Sequence, residues 1–137
     1  MYVCAYHYIY NTCNNKNMSM TNMKVIIAGS RNFNDYDKLS KVCTRTLLNK
    51  NEIEIVSGTA NGADKLGEKF AIDNGYSLKK FPANWGKFGI KAGNKRNAKM
   101  AEYADGLIAF WDGKSKGTKN MIALAKRKKL RVRIVYF

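Results

Sequence analysis

The chain has 137 residues, 25 Lys and Arg against 10 Asp and Glu, and a formal net charge of +15. That length suits one domain, able to bury roughly 65–70% of its unfolded surface, and 45% hydrophobic with 26% charged residues is a globular composition. No apolar run approaches the roughly 20 residues of a membrane-spanning helix, and a single His with scattered Cys4, Cys13 and Cys43 disfavours a zinc cluster or a disulfide framework. No cofactor and no metal is expected. The start lacks the basic, apolar and small-residue regions of a signal peptide, which predicts a cytoplasmic, reduced protein. The charge predicts an anionic ligand without naming it: nucleic acid, nucleotide and phosphorylated metabolite all fit.

Residues 1–22, rich in Tyr, Asn and Met, read as a poorly defined N-terminal extension. From Met23 the pattern is regular, and residues 23–137 read as one domain. Lys24–Ala28 is a continuous β-branched run ending in Gly29-Ser30, as expected of a strand buried on both faces. A helix is predicted from about Asp35, with Asn34 as its cap and Leu39, Val42, Cys43 and Leu47 on one face. Ile53–Val56 is the second strand. Gly62–Asn74 is the second helix, with Asn74-Gly75 as its stop. Tyr76–Phe81, less apolar and so nearer an edge, is the third strand, ended by Pro82. A Gly-rich loop then leads to a helix over about Lys95–Ala104. Leu107–Trp111, Thr118–Lys128 and Val132–Tyr136 complete the series as strand, helix and strand. Strands alternating with helices predict an open, Rossmann-like three-layer α/β domain, with a mostly parallel five-stranded sheet and right-handed crossovers.

In such a sheet ligands bind beyond the carboxyl ends of the strands, where helix starts aim free N–H groups at anions. The polar and glycine-rich stretches gather in those strand-to-helix loops: Gly29-Ser30-Arg31, Ser57–Asp64, Pro82–Asn97 and Asp112–Thr118. The opposite loops carry no comparable signature, an asymmetry that points to a phosphate- or nucleotide-binding edge. Each stretch also has a plainer reading. Gly29-Ser30 serves equally as a tight turn, Asp64 and Thr118 as helix caps, Arg96 as a surface arginine, and Trp85 as packing rather than a base-stacking platform. No GxGxxG or GxxxxGK[ST] fingerprint is present, which disfavours a conventional NAD dehydrogenase or ATPase. His7 is the only histidine and lies in the extension, so His-based catalysis is not expected. The basic run Lys126–Lys129 with Arg131 and Arg133 suits a nucleic-acid surface or, more simply, a solvated helix end.

Taken in order, the loops resemble a known family. Gly29-Ser30-Arg31, Ser57-Gly58 with Ala60, Gly62-Ala63-Asp64, Phe81-Pro82-Ala83 with Trp85, Ala92-Gly93, Arg96-Asn97, Met100 and Gly117-Thr118 with Met121 resemble the YspA-type branch of the SLOG superfamily, which is related to the LOG and DprA Rossmann-like domains. The resemblance runs through nearly all of Met23–Val135. It implies a domain that binds nucleotides or nucleotide-derived small molecules, to sense, process or sequester them. The ligand-binding residues it implies, with the loop positions, are Gly29, Ser30, Arg31, Ser57, Gly58, Gly62, Asp64, Trp85, Arg96, Asn97, Gly117 and Thr118. It also implies a homo-oligomer. LOG enzymes release a free base from a nucleoside monophosphate with an Arg and a Glu beside a PGGxGTxxE motif. Arg96 looks like that Arg, but Met121 stands at the Glu position and Asp112-Gly113-Lys114-Ser115 replaces the proline and paired glycines. A methionine neither stabilises an oxocarbenium-like state nor activates water. Binding without chemistry is therefore expected ahead of catalysis, with a LOG-like N-glycosidase and a DprA-like nucleic-acid binder as alternatives.

Overall fold

A computed structural model of the chain describes residues 23–137; the extension with Cys4, His7 and Cys13 lies outside the described residues. The β-branched run beginning at Met23 forms strand β1 (Met23–Gly29). It is followed by α1 (Tyr36–Thr46), β2 (Ile53–Ser57), α2 (Ala63–Asp73) and β3 (Ser77–Lys80). A short helix α3 (Trp85–Phe88) and a 3-10 turn (Gly89–Lys91) lead directly into α4 (Ala92–Tyr103). Strand β4 (Gly106–Trp111), helix α5 (Lys116–Arg127) and strand β5 (Arg131–Tyr136) complete the domain. All strand pairings are parallel, in the order β3-β2-β1-β4-β5.

Successive strand residues point to opposite faces of a sheet, and two apolar cores follow from that alternation. Val25 and Ile27 of β1 pack with Leu39 and Cys43 of α1 and Phe70 and Ala71 of α2. Ile26 and Ala28 pack with Met100 and Ala101 of α4 and Met121, Ile122 and Ala125 of α5. The sheet is therefore covered on both faces, as the long apolar strands require. Cys43 is fully buried, and burial pushes its thiol up to about 12, so it behaves as a core apolar residue. The edge position of β3 accounts for its weak apolar character, since only Leu78 of its four residues is shielded from solvent.

Three local expectations are corrected. Asp35, not Asn34, caps α1, its carboxylate accepting the Lys38 N–H at 3.0 Å. Helix α5 begins at Lys116 after Ser115, which leaves Thr118 inside the first turn instead of at the cap. The stretch expected to be a glycine-rich loop before Lys95 is helical, with Gly93 already inside α4. A single glycine costs a helix about 1 kcal/mol. The Trp85 ring lies beside Gly93, where a Cβ would meet it at an ordinary contact distance of 3.5 Å. Gly89, at φ +55°, ends α3 with its N–H on the Trp85 carbonyl. Among the described residues no helix is long and apolar enough to cross a membrane, and no group of three or more His, Cys, Asp or Glu is placed to hold a metal ion.

Candidate functional site

Strand β1 connects through α1 to β2 on one side, while β4 pairs with β1 on its other side. The loops leaving β1 and β4 therefore diverge, and a crevice opens between them at the carboxyl edge. Ser30 sits at this point, 1% exposed. Its N–H donates to the Phe110 carbonyl at 2.9 Å, and its carbonyl accepts the N–H groups of Phe33 (3.1 Å) and Ala63 (3.4 Å). Its hydroxyl accepts the Asp112 N–H at 3.2 Å and bonds the Ser115 hydroxyl at 2.9 Å. One small residue thus ties the loops after β1 and β4 to the start of α2. The backbone around it is just as closely packed: a Cβ on Gly29 would overlap the Phe110 carbonyl, and one on Gly62 (φ +81°) would overlap the Ser30 and Arg31 carbonyls.

A cavity of about 550 Å³ lies over this junction, within the range of small-molecule sites. Gly29, Ser30, Arg31, Asp64, Trp85, Arg96, Asn97, Gly117 and Thr118 of the expected residues line it. Ser57, Gly58 and Gly62 do not; they build the wall behind it. The Ser57 hydroxyl donates to Glu68 Oε2 at 2.7 Å and accepts the Thr59 N–H at 3.0 Å, which holds Thr59 in its left-handed conformation (φ 65°). Gly58 has no room for a side chain, since a Cβ would come within 2.8 Å of Asp64 Oδ2 and 2.7 Å of Arg96 Nη1.

Arg96 enters from the first turns of α4, with Ala92 and Met100 buried one turn away on either side. Its Nη1 donates to the Gly58 carbonyl and its Nε to Asn97 Oδ1 at 3.0 Å. Asn97 in turn donates to the Gly117 carbonyl (3.2 Å) and to Asn120 Oδ1 (3.1 Å), linking α4 to the start of α5. The guanidinium is half-buried. Burial makes its charged form less favourable than in water, the Asp64 carboxylate counteracts this, and the Arg31 guanidinium adds repulsion.

Asp64, in the first turn of α2, is 4% exposed. Burial dominates and pushes its carboxyl up to about 6, against the pull of Arg96 and of N–H groups from Ala60 and Gly29; Glu68 adds a small push in the same direction. The Ala60 N–H reaches Asp64 Oδ2 at 3.2 Å. Asp112 behaves oppositely. It accepts the N–H groups of Ser115 (2.8 Å) and Lys114 (2.9 Å), which hold its carboxyl down at about 2. Because the Ser115 hydroxyl is engaged by Asp112 and Ser30, it does not cap α5. The first N–H groups of α5, at Lys116, Gly117 and Thr118, are left for the cavity that these residues line.

Asn94, Ile90 and Lys116 also line the cavity, beside the residues expected to bind the ligand. Lys116 was legible as a cation in the loop after β4. Ile90 was not: a 94% exposed isoleucine reaches the cavity mouth only because the 3-10 turn carries it there. Trp85, 52% exposed, stands at the same mouth. Met121 lies on the wall, 2% exposed and packed in the core below.

Residues 23–88 match the family described as "YspA, cpYpsA-related SLOG family". The fold is similar to that in the X-ray structure of DNA processing protein A (DprA) from Streptococcus pneumoniae, with a TM-score of 0.66 and 21% identity, covering 82% of this chain and 50% of that one. The chain thus spans half the length of that protein. No curated protein sequence matches the chain.

Proposed function

We propose that this chain, whose residues 23–88 match the YspA, cpYpsA-related SLOG family, binds a phosphorylated nucleotide or nucleotide-derived small molecule, sensing or sequestering it. The observation that carries this reading is the state of Arg96. Its guanidinium is half-buried, repelled by Arg31, and lines a cavity that the uncapped start of α5 also lines. A phosphate there relieves the repulsion, takes charge-assisted hydrogen bonds from Arg96, and meets the free N–H groups of Gly117 and Thr118. Trp85 and Ile90 at the mouth supply apolar surface for a base, and Asp64 supplies an acceptor for a sugar hydroxyl. The test is mass spectrometry of small molecules released by denaturing the purified protein, with thermal-shift measurement across nucleotides. A co-purified nucleotide, or about 2.7 kcal/mol of stabilisation at a hundred times the dissociation constant, supports it. No stabilisation by any phosphorylated nucleoside refutes it.

A second reading has its own observation. Asp64 is a carboxyl held near pH 6 on the wall of the same cavity, the range suited to proton transfer. It supports a LOG-like N-glycosidase with Asp64 replacing the carboxylate missing at Met121. Free base released from nucleoside monophosphates, and abolished by Asp64→Asn, is the expected outcome of that reading. Its absence leaves binding alone. The net charge and the likeness to DprA support nucleic-acid binding as a further alternative, which requires affinity for single strands that falls steeply with salt.

A further inference from the structure

A second cavity, of about 270 Å³, adjoins the first at the end of β3. Arg96 lines both. Ala92, Lys95, Arg96 and Lys99 form one stripe of α4 at the i, i+3, i+4, i+7 spacing and make one wall. Lys79, Lys80 and Phe81 at the end of β3, with Phe88 of α3, make the other. The ammonium groups sit against aromatic rings: Lys79 at 5.7 Å from the Phe81 centroid, and Lys95 at 4.8 Å from that of Phe88. Such contacts orient a cation without neutralising it.

What the cavity lacks is negative charge. Among the described residues no acidic side chain lines it. Lys80 alone of its lysines has a carboxylate partner among the described residues, Glu68 at 3.6 Å, and Glu68 is already bonded to Ser57 and paired with Lys65 at 3.7 Å. Lys79, Lys95 and Lys99 are left unneutralised beside Arg96. An anion in the cavity would meet these cationic side chains with no carboxylate competing for them.

We propose that this second cavity is a phosphate subsite, and that the ligand class is a dinucleotide: two phosphate groups separated by a nucleoside, one in each cavity, with Arg96 between them. The inference rests on the reading that the first cavity takes a nucleotide phosphate. A mononucleotide fills one cavity and leaves the lysine cluster unsatisfied; a linked second phosphate reaches it with no further loss of translational freedom.

Calorimetric titration of the full chain with AMP and with the linear dinucleotide pApA tests this. The expected result is pApA binding at least about tenfold more tightly than AMP, the increment of one well-placed ionic hydrogen-bond set. Lys95→Gln with Lys99→Gln, both exposed and so compatible with folding, brings pApA to the AMP level and leaves AMP unchanged. The control pair Lys126→Gln with Arg127→Gln, at the other end of α5, removes the same charge and keeps the preference. Equal affinity for the two probes in the unmodified protein overturns the second subsite and leaves the first standing. A preference reduced equally by both variant pairs assigns it to the general field and also overturns it. A further gain with pApApA that the Lys95 and Lys99 changes abolish identifies an extended strand and overturns the dinucleotide limit. Binding of neither AMP nor pApA nor any other nucleotide removes the underlying reading along with this one.

Discussion

Replacing Asp64 by Asn should stabilise the fold at neutral and alkaline pH. The folded protein holds this carboxyl at about 6, against an ordinary value of 3.8. A carboxyl pKa raised on folding means that the folded state binds the proton more tightly than the unfolded chain. Stability is therefore highest below pH 3.8, falls as pH rises to about 6, and stays at the lower level above it. At about 1.4 kcal/mol per pH unit, the rise corresponds to about 3 kcal/mol lost on ionisation. That figure already contains the attraction of Arg96, because the carboxyl is raised in spite of it. Asparagine has nearly the shape of the protonated acid and can still accept the Ala60 N–H. Asp64→Asn should recover most of the 3 kcal/mol at pH 8 and almost none at pH 3.5. Urea denaturation at the two values, with the slope m unchanged, measures the difference directly. A variant no more stable than the unmodified protein at pH 8, or equally stabilised at both pH values, refutes the argument that burial governs this group.

Three other substitutions probe the site. Arg96→Met removes the countercharge of Asp64, so its carboxyl should rise further above 6 and the acid limb of the stability profile should move to higher pH; nucleotide affinity should fall by about ten- to a hundredfold in calorimetry. Trp85→Ala should weaken nucleotide binding by about 1–3 kcal/mol while barely moving the denaturation midpoint, because the ring is 52% exposed. An unchanged affinity would remove Trp85 from the ligand's surroundings. Gly62→Ala should lower unfolding free energy by at least about 1–3 kcal/mol, since φ is +81° and the Ser30 and Arg31 carbonyls occupy the space of a Cβ; a neutral effect by denaturation would show that the loops after β1 and β2 can separate cheaply.

The order of elements was legible because β1, β2 and β5 are short β-branched runs, β4 is a continuous apolar one, and α1 and α2 carry clear apolar faces. Those signals are local. They located β1, β2, β4 and α2 closely, and the glycine and polar residues between them marked the binding edge. The stretch from Trp85 to Asn94 was not legible. Its glycines argue for a loop; the helix there starts at the Asn84 side chain, which accepts the Lys87 N–H at 3.0 Å, and ends at Gly89, and neither end is marked by an apolar pattern. The caps of α1 and α5 were missed by one to three residues, because several short polar residues adjoin each start and only the bonds of Asp35 and Asp112 choose between them.

Within the site the same division holds. Residue type alone marks Arg96, Asp64 and Trp85 as able to meet a phosphate, a hydroxyl and a base. Only the folded chain distinguishes a residue that lines the cavity from one that shapes its wall. Ser57, Gly58 and Gly62 share the loop chemistry of their neighbours, yet they serve Glu68, Arg96 and the Ser30 backbone instead. The net charge shows the same limit. The sequence by itself determined an excess of cations and the edge at which the loops collect. The tertiary structure decided that Lys79, Lys95 and Lys99 gather beside Arg96, with no carboxylate lining the second cavity. The physical reason is that charge composition adds up along the chain, whereas the potential at a point depends on distance and burial.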